Sequence, residues 1–287
     1  MRQSRGDRLL GGINIILLCI IAMVTVFPIY YVVIVSFTDP TEYLTKDFVL
    51  IPTKWSLSSY KYLLTTDDFP RAMGISGILA AVGTPFHLAV TSSLAYSLSR
   101  KRLVGRKYFL LLILFTMLFS PGLIPNYLLV RNLGLINSLW ALILPGATSG
   151  FSVILMKSFF ESIPETLEEA AVIDGCNDIT VWYKIILPLS LPSLAALGLF
   201  SAVGHWNTYM SALMYITDYK KYPLQVLLQS MLAQPATATE ADFVDVKPPE
   251  ETLKMAAVVI TTTPIVMVYP FLQKHFAKGV MLGSVKG

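Results

Sequence analysis

The segment KSFFESIPETLEEAAVIDGCNDITVWYKIILPLSLP, residues 157–192, begins where one stretch free of Asp, Glu, Lys and Arg (132–156) ends, and runs into the next (185–217). Four more such stretches cover 9–38, 72–99, 108–130 and 255–273, and the six run from 19 to 33 residues. A membrane-spanning helix needs about 20 mainly apolar residues. The 287-residue chain is 54% hydrophobic and only 14% charged, with a mean hydropathy of +0.63, whereas ordinary soluble domains carry about 25% charge. The pattern predicts an all-α membrane protein with six transmembrane helices, over about 11–37, 72–99, 108–131, 138–157, 189–216 and 255–273, in a single domain over 1–287. A soluble enzyme, a secreted disulfide scaffold and a disordered chain are excluded.

Six spans put both ends on one side. Placing them in the cytoplasm puts 13 of the 22 basic residues inside, among them Arg100-Lys101-Arg102 and Arg106-Lys107 in one short loop. Short basic loops mark the cytoplasmic side, and long loops obey the rule weakly. An N-in, C-in topology follows, with extracytoplasmic loops at 38–71 and 217–254. The net charge of +4 then belongs to these loops and implies no nucleic-acid partner. The basic start MRQSRGDRLL leads into an apolar stretch too long for a signal-peptide h-region, so it reads as an uncleaved first span. Cys19 and Cys176 have no metal-ligand spacing, and no bridge between them is expected.

The quoted loop, 158–188 between spans, holds six of the chain's 18 carboxylates between Glu161 and Asp178. The positive-inside rule does not select acid there, so something else favours it. Pro164 suits a first helical turn. Glu165, Glu168 and Glu169 lie near the positive end of the dipole, and Leu167, Ala170 and Ala171 put apolar groups on one side. Asp174-Gly175 supplies a stop, with glycine fitted to a left-handed cap. A second short helix is expected from Asn177 or Asp178 to Ile186, ended by Leu187-Pro188. The loop serves equally as a solvated connector or as a helix for another protein's groove.

Glu169-Ala170-Ala171, three residues, Gly175, nine residues, Ile185, one residue, Leu187-Pro188 resembles the EAA signature of binding-protein-dependent ABC importer permeases at every fixed position. The flanks FPIYYVVIVSFTDP (27–40), LIPNYLLVRNLGLINSLWALILP (123–145), WNTYMSALMYI (206–216) and KHFAKGVMLGSVKG (274–287) resemble the maltose-transporter branch. The likeness covers essentially the whole chain and looks closest to the subgroup for oligosaccharides from plant or algal polysaccharides, uronate-containing ones included. It implies a type I ABC importer permease fold in the bacterial inner (cytoplasmic) membrane, surrounded by lipid. It also implies a homologous second permease, an ATPase dimer that carries ATP and magnesium, and an extracytoplasmic solute-binding protein. The ATPase-coupling set would be Glu168, Glu169, Ala170, Ala171, Asp174, Gly175, Ile185, Leu187 and Pro188. Cys176 departs from the usual small residue. Loop 218–254 resembles the segment that reaches into the binding protein's cleft in the maltose-type partner, and deleting 225–241 is expected to abolish uptake but not assembly.

No phosphate cradle, H-E-x-x-H or G-x-S-x-G occurs. The chain is therefore expected to be non-catalytic, to bind no metal or cofactor of its own, and to draw its energy from a partner. His87, His205 and His275 look scattered and form no ligand pair, although a histidine within a span is a functional candidate by default. With no fixed charge in any window, neutral polar and aromatic groups are the candidate pathway lining for a sugar: Asn126, Tyr127, Ser149, His205, Trp206, Asn207 and Tyr209. Each serves equally as a helix–helix hydrogen bond or an interfacial anchor. Prolines 188 and 192 are expected to bend the start of the fifth span. Gly77/Ala81 and Gly198/Ala202 are expected to pack closely, against a second permease. An ABC permease for a non-sugar solute, or an ATPase-independent secondary transporter, remains open on these residues alone.

Overall fold

The computed structural model of the chain describes residues 5–46, 48–233 and 249–284, with side chains described from 11 to 270 apart from 47, 234–248 and 269. The side chains of Arg2, Arg5, Arg8 and the basic tail, and the acidic run after Glu240, lie outside the described residues. So do residues 234–248 of the expected binding-protein segment. Among the described residues the chain is helical, with one isolated antiparallel bridge between Thr38 and Trp55 and no strand.

The helices are α1 (Arg5–Ser36), α2 (Pro40–Thr45), α3 (Ser58–Thr65), α4 (Asp68–Ser99), α5 (Arg106–Leu118) and α6 (Leu123–Asn132). There follow α7 (Trp140–Ile143), α8 (Gly150–Glu161), α9 (Glu165–Ile173), α10 (Asp178–Val181), α11 (Leu187–Leu189) and α12 (Leu191–Trp206). The last three are α13 (Met210–Tyr215), α14 (Leu224–Ala233) and α15 (Glu250–Ser284). Stretches Gly11–Ser36, Asp68–Ser99 and Glu250–Val268 are each long and apolar enough to cross a membrane alone. The other three apolar windows hold bent pairs: α5 with α6 at 117°, Trp140–Gly146 with α8 at 52°, and Asp178–Leu189 with α12 at 82°. Proline explains where they break. Pro121 lies between α5 and α6, Pro145 in the turn before α8, and Pro188 and Pro192 flank Ser190. A proline ring removes an N–H and clashes with the preceding turn.

The chain falls into two compact units, Met1–Pro70 with Leu228–Thr263, and Arg71–Leu227 with Pro264–Gly287. In the first, the buried Glu42 carboxylate organises the loop after α1. It accepts backbone N–H bonds from Thr53 at 2.9 Å and Lys54 at 2.8 Å, and an ammonium bond from Lys46 at 2.7 Å. Asp39 caps α2 through the Thr41 N–H at 3.0 Å. Tyr30 Oη donates to Leu50 O at 2.8 Å, and Tyr31 stacks on Phe48.

The second unit holds two apolar cores, both of which draw on α4. Ile75 and Leu79 join Leu142, Ile143, Tyr215 and Ile216 in one, and Ala95, Tyr96 and Leu98 join Met156, Phe160, Ala171, Val181 and Ile186 in the other. From Ile75 to Leu98 a helix rises about 34 Å, close to the thickness of a bilayer's hydrocarbon region. The acidic loop and the basic loop therefore meet at one end of α4. Gly198 packs inside this unit, where a Cβ would lie 3.3 Å from Leu88 Cδ1, while a Cβ on Gly77 would meet nothing within 4 Å. The small face at Gly198 is thus used within the chain and not left for a partner, because α4 runs alongside it.

Candidate functional site

The acidic loop folds as two short helices around a glycine cap. Helix α9 starts after Pro164 and ends at Asp174, and Gly175 takes φ +85°. Cys176 N–H donates to Ala171 O at 2.9 Å and Gly175 N–H to Val172 O at 3.0 Å, the paired bonds of a Schellman cap. Cys176 packs onto the adjacent core, which its small apolar thiol suits. Asn177 then caps α10, accepting the Thr180 N–H at 2.8 Å.

The expected stop at Leu187-Pro188 does not occur. A π-helical turn over Trp182–Ile186 leads straight into α11, and the chain turns at Ser190 instead. The wider turn loosens the backbone ladder just ahead of Pro188, whose missing N–H would otherwise break it. Ser190 N–H reaches Ile186 O at 3.0 Å and Leu187 O at 3.1 Å, and Ser190 O accepts from Leu194 N–H at 2.9 Å. The 82° corner is thus hydrogen-bonded through.

What favours acid in this loop is the basic loop beside it. Glu168, buried, receives Arg100 and also Arg102 Nη2 at 3.1 Å. Arg102 further pairs with Asp178, Lys101 lies 3.7 Å from Glu165, and Arg106 pairs with Glu161, which also takes Lys157 at 2.7 Å. Arg100 is held over the Tyr96 ring at 4.7 Å, and Arg106 Nε donates to Leu98 O at 2.7 Å. Opposite charge was readable in each loop separately, but their pairing spans 55 to 76 residues of sequence and was not.

These contacts divide the predicted coupling residues between two faces. Glu168 and Ala171, one turn apart, face inward to Arg100 and to the apolar core, and Ile185 and Leu187 pack on that core too. Glu169, Ala170, Asp174, Gly175 and Pro188 face solvent. The expected small side of Leu167, Ala170 and Ala171 is therefore split along its length: Ala171, at the edge nearest Glu168, is buried, while Leu167 and Ala170 are exposed. Exposed apolar side chains of this loop are Leu167, Val172, Ile173, Ile179 and Tyr183, with Ile173 86% exposed. An exposed apolar patch rimmed by charge marks an interaction surface.

The predicted pathway residues are also divided. Ser149 and His205 line one cavity of about 510 Å³, together with His87, Ser152, Ser201 and Thr208. Tyr127 and Tyr209 pack on the first core instead, with Tyr127 stacked on Tyr215 at 6.3 Å. Asn207 Oδ1 accepts from Gln225 Nε2 at 2.7 Å. Asn126 and Trp206 are half-buried outside that lining. The two span histidines, scattered in sequence, thus face one cavity. His205 reaches it by crossing α4 at Gly83, where a Cβ would sit 2.5 Å from its Nε2. No group of His, Cys, Asp and Glu among the described residues is placed to hold a metal, and both cysteines are free.

Broken apolar helices, with a short helix fixed by charge beside the basic loop, define an integral membrane protein. Residues 87–282 match the model of the binding-protein-dependent transport system inner membrane component, and the chain belongs to that family. It is thus a multi-pass protein of the inner membrane and a transport subunit, and the secondary-transporter alternative falls away. It is 46% identical over 291 residues to the "polygalacturonan/rhamnogalacturonan transport system permease protein YtcP" of Bacillus subtilis, all of both chains being covered. Protein LplC of the same organism is 44% identical over all of this chain and 98% of its own. Among solved structures, a chain of a bacterial ABC transporter involved in import of the acidic polysaccharide alginate superposes with a TM-score of 0.89 at 33% identity. That match covers 96% of this chain and 99% of the other.

Proposed function

We propose that the chain forms one half of the translocation pathway of an ATP-driven importer for oligosaccharides cut from acidic polysaccharides. A homologous permease supplies the other half, an ATPase dimer carries ATP and magnesium, and an extracytoplasmic binding protein delivers the sugar. The observation that carries this reading is helix α9: ion pairs with the basic loop and an apolar core hold its inner face, while Glu169, Ala170, Val172 and Ile173 stay free for a cleft on the ATPase. Six crossings, N-in and C-in in a type I arrangement, put that face in the cytoplasm if each bent pair counts as one span. End-to-end identity with a polygalacturonan and rhamnogalacturonan permease supports a uronate-bearing sugar over a non-sugar solute.

Closure of the ATPase dimer would move α9, and the ion pairs would carry that motion into the end of α4 and through α10 and α11 into α12. The test is to tag the chain, solubilise it gently and reconstitute what co-purifies. A Walker-type ATPase and a second permease should be recovered, with ATP-dependent uptake of labelled oligogalacturonides when binding protein is added. Recovery of the chain alone, transporting without ATP, would refute the reading.

A further inference from the structure

Within the six charge-free windows, only two side chains can become cationic, His87 and His205. Both are more than nine-tenths buried, and both line the same 510 Å³ cavity. Ionisable groups inside spans face cavities and mark substrate paths. Each ring has one nitrogen engaged by backbone. His87 Nδ1 lies 3.3 Å from Gly146 O, a carbonyl that can only accept, so Nδ1 is the donor; His205 hydrogen-bonds with the Gly83 backbone. The second nitrogen of each is an acceptor in the neutral ring and becomes a donor on protonation. Beside them the Ser201 hydroxyl is buried without a hydrogen-bond partner. The cavity opens past Phe151 and Gly204, both exposed, and its lining contains no Lys, Arg, Asp or Glu. Each histidine therefore faces only the other as a titratable neighbour.

We infer that this cavity is a carboxylate subsite, in which His87 and His205, protonated as the substrate arrives, pair with a uronate carboxylate while Ser201 meets a ring hydroxyl. Within the charge-free windows a carboxylate finds no other group that can carry positive charge, and a charge-assisted bond to imidazolium is about twice as strong as a neutral one. The inference rests on the acidic-oligosaccharide reading above.

The test uses the whole transporter in proteoliposomes with its binding protein. It compares initial uptake of trigalacturonate and of its neutral methyl ester for the parent and for His87→Gln, His205→Gln and the double variant. Trigalacturonate uptake should fall about tenfold or more in the double variant, with ester uptake held within about twofold. The parent's trigalacturonate rate should decline as pH rises, and the double variant should lose that dependence. His87→Gln, away from the tight Gly83 crossing, should show the same selectivity in milder form. Equal losses on both substrates, or an unchanged pH profile and rate in the double variant, would overturn the subsite. If the parent hydrolyses ATP yet moves neither sugar, the proposed function itself fails.

Discussion

Gly77 and Gly83 share helix α4 and differ in what surrounds them. A methyl at Gly77 meets nothing within 4 Å, whereas one at Gly83 drives into the His205 ring. Gly77→Ala should stabilise by about 0.5–1 kcal/mol through helix propensity, and Gly83→Ala should destabilise by about 1–3 kcal/mol through overpacking. Thermal unfolding of the two detergent-solubilised variants should move in opposite directions. Glu169 is exposed, and the ion pairs that tie α9 to the basic loop run through Glu165 and Glu168. Glu169→Lys should therefore leave the protein in the membrane and as stable as its parent while transport is lost and ATP hydrolysis continues. Full transport by that variant would remove α9 as the docking element. Single residues were the most legible level of the sequence. Gly175 could be read as a left-handed cap because the requirement is local. For Glu168 the sequence offers a place in the first helical turn and in the coupling set, and only its fold-distant partner Arg100 shows that it faces inward.

At the scale of elements, the acidic loop is held by the basic one. Glu168→Gln leaves Arg100 buried without its counter-charge, and breaking a buried pair costs about 3 kcal/mol. Hydrogen exchange across 161–178 should quicken in that variant, and combining Arg100→Glu with Glu168→Arg should recover part of the protection. If the double swap protects no better than either single change, the pairing is not what orders the loop. The loop after α1 makes a pH prediction of its own. The Lys46 ammonium, followed by the Thr53 and Lys54 N–H groups, holds Glu42 at about 2, against an ordinary value of 4.5. A carboxyl depressed in the fold stabilises it fully above about 4.5, and that contribution disappears as pH falls toward 2. Protease nicking within 39–57 should therefore stay slow at neutral pH and rise only below about 4.5, and Glu42→Gln should be nicked at all pH values. The breaks between helices were partly readable, since Pro121, Pro145, Pro188 and Pro192 mark them. Hydropathy reports how much apolar chain there is and says nothing of its direction, so a 117° turn inside one apolar window leaves no trace in it.

For the whole molecule, six apolar windows and one loop were enough to expect a helical permease, because membrane burial is written in composition. The division of pathway residues between a cavity and a packed core was not legible, since both uses select the same neutral side chains. Sidedness can be checked directly. With Cys19 and Cys176 replaced by serine, Val104→Cys in the basic loop, 90% exposed, and Leu57→Cys, 63% exposed, should react with a membrane-impermeant maleimide from opposite faces. The Val104→Cys variant should label in sealed inside-out vesicles and the Leu57→Cys variant in intact cells; the reverse pattern would invert the topology. The corner at Ser190 has a mechanical meaning as well. Two arms that meet at 82° act as a bell crank. The long arm, α12, has 16 residues and measures about 24 Å. A tilt of about 10° about the corner would carry its far end sideways by about 4 Å. His205 sits at that end, so a small rocking of the short arm would displace that wall of its cavity by the same distance.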